Sequence, residues 1–71
     1  MTVVHDLSIQ NVAIVALELC SGEKLEVRDG SGNSLKEGVL LIISSVFIRR
    51  KNIKCMRINL KINYLLVSGI I

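Results

Sequence analysis

Apolar residues run along the chain in long blocks, and the polar residues between them mark the turns. Residues 11–20 (NVAIVALELC) are a nearly continuous Val, Ile and Leu run ending at Ser21-Gly22. This predicts a buried strand, with Ala13, Val15, Leu17 and Leu19 on one face and Glu18 on the other. Residues 23–28 (EKLEVR) alternate, with Leu25 and Val27 inward and Lys24, Glu26 and Arg28 outward, so Ser21-Gly22 reads as a hairpin turn. Residues 29–34 (DGSGNS) have the composition of a loop. Residues 39–48 (VLLIISSVFI) are apolar on both faces, the pattern of a central strand. Arg49-Arg50-Lys51-Asn52 interrupts it, and residues 53–64 resume. There Ile58, Leu60, Ile62 and Tyr64 alternate with Arg57, Asn59, Lys61 and Asn63, while Ile53 and Cys55 have the opposite parity, which suggests a bulge near residues 55–57.

The expected fold is therefore all-β: a small, strongly bent antiparallel sheet or open barrel of four to five strands, with little or no helix. Any helix is confined to residues 2–8, with Asp6 as a possible cap. Seventy-one residues make a single domain, divided here into an N-terminal arm (1–10), a β core (11–64) and an apolar tail (65–71) that pairs or packs. A core this small is marginal alone, and oligomerisation is a natural way to complete it.

Composition narrows the chemistry. The only cysteines are Cys20 and Cys55 and the only histidine is His5, too few for a zinc site of ordinary spacing. One disulfide is possible, but the favoured expectation is two buried thiols in a reducing, intracellular setting, nuclear or cytoplasmic. The start lacks the basic region of a signal peptide. The longest apolar run, Val39 to Ile48, has ten residues where a membrane span needs about 20. Charge is uneven: residues 1–38 carry a net −3, whereas residues 39–71 carry Arg49, Arg50, Lys51, Lys54, Arg57 and Lys61 with no acid. A basic stretch of that kind attracts nucleic acid or acidic lipid, unless it is simply a solvated strand face and a charged loop.

No catalytic site is expected. His5 and Asp6 lie at the N-terminus, where fixed hydrogen-bond geometry is unfavourable, and both cysteines fall in apolar strands that disfavour a thiolate. Residues 27–33 (VRDGSGN) have the look of a calcium loop, but Val27 and Gly38 occupy the first and twelfth ligand positions. The sequence thus implies no metal, no cofactor and no small-molecule substrate.

One ordered pair of motifs points further. Gly22, Leu25, Asp29, Asn33 and Leu35, followed by Ile48-Arg49-Arg50-Lys51-Asn52-Ile53, resembles the two signature motifs of the Sm and Sm-like (LSm) RNA-binding family over roughly residues 11–60. Within the first motif there is one extra residue before Leu25 and one fewer before Leu35, Ser31 stands at the usual stacking position, and Arg50 replaces a glycine. The resemblance implies a five-stranded bent sheet closing into a homo- or hetero-oligomeric ring through its edge strands. It also implies binding of uridine-rich single-stranded RNA. Asn33 would bond a base edge, Asp29 would fix that loop and Arg49 would pack over the base, with Arg50, Lys51 and Lys54 attracting phosphate. Two other readings stay open. The compositional break after Gly38 fits a truncated or variant fragment of a longer protein, and the basic stretch fits a membrane-surface or scaffold module.

Overall fold

The computed structural model describes residues 2–69, and it overturns the all-β expectation. The order is β1 (Val3–Asp6), α1 (Val12–Cys20), β2 (Leu25–Arg28), α2 (Glu37–Arg50) and α3 (Met56–Val67). The strands β1 and β2 pair in parallel, Val3 opposite Leu25 through Asp6 opposite Arg28, with α1 as the crossover. A parallel pair requires such a crossover, so Ser21-Gly22 cannot be the hairpin turn that the alternation suggested. Residues 2–8, the one stretch to which any helix was confined, contain a strand, and the helices lie elsewhere.

The physical reason lies in which apolar positions are buried. Continuous apolar runs do not distinguish a buried strand from a buried helix by periodicity. In α1 the two fully buried residues are the neighbours Val15 and Ala16, and Ile14 and Leu17 are exposed. In α2 the buried residues are Leu40, Leu41, Ser44 and Ile48, spaced as on one face of a helix. In α3 Ile58 is buried and Ile62 and Leu65 pack behind it, while Leu60 and Tyr64 face solvent. The alternation at 57–64 and the helical face therefore share Ile58 and Ile62 and part company at Leu60 and Tyr64. Size decides between them: twelve residues as a strand span about 40 Å, against about 18 Å as a helix. The longest dimension of the molecule is 30 Å.

Helix ends follow from local chemistry. Past α1, Gly22 takes φ +82°, its amide donates to the Leu19 carbonyl (3.1 Å), and the Glu23 amide donates to Glu18 (3.0 Å). Past α2, Asn52 takes φ +54°, its amide donates to Arg49 (3.2 Å), and the Ile53 amide donates to Ile48 (3.0 Å). Both are left-handed C-terminal caps, and Ile53 packs against the Ile48 cluster as that cap favours.

Two apolar clusters form the interior. Val15, Val27 and Leu40 hold the sheet to α1 and the start of α2, and Ala16, Leu41, Ile48, Cys55 and Ile58 join the three helices. Leu19 packs against both. Cys20, at the end of α1, is disulfide-bonded to Cys55, just before α3, with their Cα atoms 5.5 Å apart. The expectation of two separate thiols is thereby corrected: helix geometry brings together two positions that a β reading left unrelated. The apolar tail predicted at 65–71 begins inside α3, and residues 70–71 lie outside the described residues.

One buried group does not fit the apolar interior. The Ser44 hydroxyl is fully enclosed and has no hydrogen-bond partner among the described residues. An unsatisfied buried hydroxyl costs about 1–3 kcal/mol. Ser44→Ala is therefore expected to raise stability by about 1 kcal/mol in urea unfolding, and a loss of stability would show that the hydroxyl has a partner after all.

Candidate functional site

The residues singled out in the sequence separate into two places. Asp29, Ser31 and Asn33 belong to the tight turn after β2. The Gly32 amide donates to the Asp29 carbonyl (3.0 Å), the Asp29 amide donates to the Asn33 carbonyl (2.9 Å), and Gly32 takes φ +82°. The Asp29 carboxylate Oδ1 accepts from the amides of Ser31 (2.8 Å) and Asn33 (3.0 Å). Asp29 thus fixes its own loop, the ordinary work of an aspartate in a turn. Arg28 and Ser34 bridge antiparallel beyond it, and the Leu35 amide donates to the Val27 carbonyl at 2.8 Å. Next to this turn the Glu26 carboxylate lies below the usual range, first because the Ser34 hydroxyl donates to it and then because the Arg28 guanidinium does.

Arg49, Arg50, Lys51 and Lys54 lie elsewhere, at the corner between α2 and α3. Arg49 and Arg50 are the last residues of α2, Lys51 and Asn52 make the cap, and Lys54 precedes the disulfide-linked Cys55. All four cations are exposed. The ion pairs among the described residues are His5–Glu18, Arg28–Glu26 and Lys61–Glu37, so no carboxylate pairs with the corner. Cations at a helix C-terminus also stabilise the helix against its dipole, which accounts for Arg49 and Arg50 without any ligand.

The fourteen residues of α2 are about 20 Å long. Asn33 stands before that helix and Arg49 in its last turn, and among the described residues two short parallel strands take the place of the bent five-stranded sheet behind the implied ring. The residues of the first motif have local structural work to do: Gly22 ends a helix, Asp29 and Asn33 close a turn, and Leu25 and Leu35 pack on the sheet cluster.

Sequence reasoning missed several contacts. His5 is held by Glu18 (Nε2 to Oε1, 2.8 Å) and is not left loose at the terminus. Arg57 lies against Gly22: a Cβ built at Gly22 would stand 2.8 Å from its guanidinium carbon. A glycine and an arginine thirty-five positions apart carry no sequence signal of such an approach. Among the described residues no group of three or more His, Cys, Asp or Glu side chains is placed to hold a metal ion. No described helix is long and apolar enough to cross a membrane. No family model, curated protein or solved structure matches the chain.

Proposed function

We infer that this chain is a non-enzymatic RNA-binding protein that holds single-stranded RNA by its phosphates at the α2–α3 corner. The observation that carries the reading is the corner itself: Arg49, Arg50, Lys51 and Lys54 fall within six residues, all exposed and none paired with a carboxylate among the described residues. The sequence from Gly38 through Gly69 holds no acid to oppose them. A single strand suits this surface better than a duplex groove. The exposed side of α3 presents Met56, Leu60 and Tyr64 between Arg57, Asn59, Lys61 and Asn63, and apolar and aromatic side chains among polar ones suit unstacked bases. Arginine planes at a corner can stack on unpaired bases while lysines meet phosphates. Asn33 and Asp29, before the other end of α2, take no part, so binding at the corner is tolerant of sequence.

The test is binding of labelled oligouridine by the full chain across a salt series. Four phosphate contacts on a single strand give a log–log salt slope of about −2.8. The variant Arg49→Gln, Arg50→Gln, Lys51→Gln, Lys54→Gln is expected to bind at least about tenfold more weakly at low salt and to lose most of that slope. Lys24→Gln with Lys36→Gln, which also removes positive charge, should change affinity by less than about twofold. Equal losses in the two variants would sink the reading. A second reading, a basic membrane-surface module, draws on the exposed apolar side of α3 beside the corner. It requires the chain to sediment with acidic vesicles in preference to RNA.

A further inference from the structure

We propose that the cleft between the end of α1, β2, the start of α2 and α3 binds a single-chain amphiphile with an anionic head group, the head against Arg57 and the tail on leucine side chains. The cleft measures about 590 Å³, within the range of small-molecule sites. Its accessible apolar lining is Leu19, Leu25, Leu35 and Leu60, with the buried Leu40, Leu41 and Ile58 of the two interior clusters behind them. Those four leucines give a hydrocarbon tail apolar surface to cover.

Charge selects the head group. The lining contains the cations Lys24, Arg57 and Lys61 and the acids Glu23 and Glu37. Glu37 is engaged by Lys61 at 3.4 Å. Arg57 has no carboxylate partner among the described residues, and its guanidinium is seated on Gly22, where a side chain would displace it. A planar donor fork so placed matches a carboxylate or phosphate. The Cys20–Cys55 disulfide lies two residues before Gly22 on one wall and two before Arg57 on the other, and so ties the two walls of the site together. This site is separate from the α2–α3 corner: none of its cations is one of the four there.

The experiment is a titration of the oxidised full chain with octanoate, octyl phosphate and octanol, followed by amide NMR shifts. Both anions are expected to saturate with a Kd of about 1 mM or tighter. The shifts should centre on Gly22, Lys24, Arg57 and Lys61, and the tighter anion tells a fatty-acid-like ligand from a phosphate ester. Octanol should bind about tenfold more weakly. Arg57→Gln should weaken both anions by about tenfold with the spectrum otherwise intact, Arg57→Lys should recover part of the loss, and the corner variant should bind them as well as wild type. Octanol binding equal to octanoate, anion binding indifferent to Arg57→Gln, or shifts confined to residues 49–54 would each overturn the proposal.

Discussion

Replacing Cys20 and Cys55 together with alanine is expected to lower the unfolding free energy by about 4 kcal/mol. The cross-link closes a loop with a sequence separation of 35, and loop-closure entropy in the unfolded chain gives about that figure at 25 °C. A domain of this size has about 0.05–0.15 kcal/mol of stability per residue, so the loss is a large share of the total. At about 4–8 °C per kcal/mol the thermal midpoint should fall by about 16–32 °C. Alanine is the proper replacement, because Cys55 belongs to the buried helical cluster and a serine hydroxyl there would add a second penalty. Calorimetry of oxidised wild type, reduced wild type and the double variant checks the result. Reduced protein and the variant should both unfold well below the oxidised protein. Coincident midpoints would mean that α1 and the start of α3 stay together without the bond.

The second large effect separates the helical from the alternating reading of residues 57–64. Ile58 is 1% exposed and Leu60 is 61% exposed. Truncating a fully buried isoleucine costs about 2–5 kcal/mol through lost transfer energy and the cavity left behind, whereas a surface substitution stays within about 0.5 kcal/mol. Ile58→Ala should therefore cost about 3 kcal/mol in urea unfolding, and Leu60→Ala almost nothing. On a strand the two side chains would share a face and lose comparable amounts. Similar costs would restore the strand.

The places where sequence and structure part company have a common physical cause. The alternation at 23–28 coincides with β2 and its buried Val27, but the longer alternation at 57–64 lies in α3, so a period of two marks a strand only where packing agrees. The blocks at 11–20 and 39–48 carry no such mark. Their Val, Ile and Leu content suits either structure, and tertiary packing, not intrinsic preference, makes them helices. The glycine and asparagine signals were real, but turn chemistry ends a helix as readily as it joins two strands: Gly22 and Asn52 both sit at positive φ past a helix. The basic corner was legible by composition, since four cations within six residues need no fold to be noticed. The cleft was not. It exists only where Gly22 and Arg57 approach, and that approach depends on the way α1 and α3 pack.

The way the interior is divided has a consequence for how the chain is made. Val15, Val27 and Leu40 are all available once residue 40 has left the ribosome, so the parallel strand pair and α1 can find each other early. The helical cluster needs Cys55 and Ile58, and until they emerge Leu41 and Ile48 remain uncovered on a half-made surface. Chains are synthesised at about 5–20 residues per second. About one to four seconds of synthesis therefore separate residue 40, which completes the first cluster, from residue 58, which completes the second. A chain cut anywhere between those two positions would keep the sheet cluster whole and leave Leu41 without its partners from residue 55 onward.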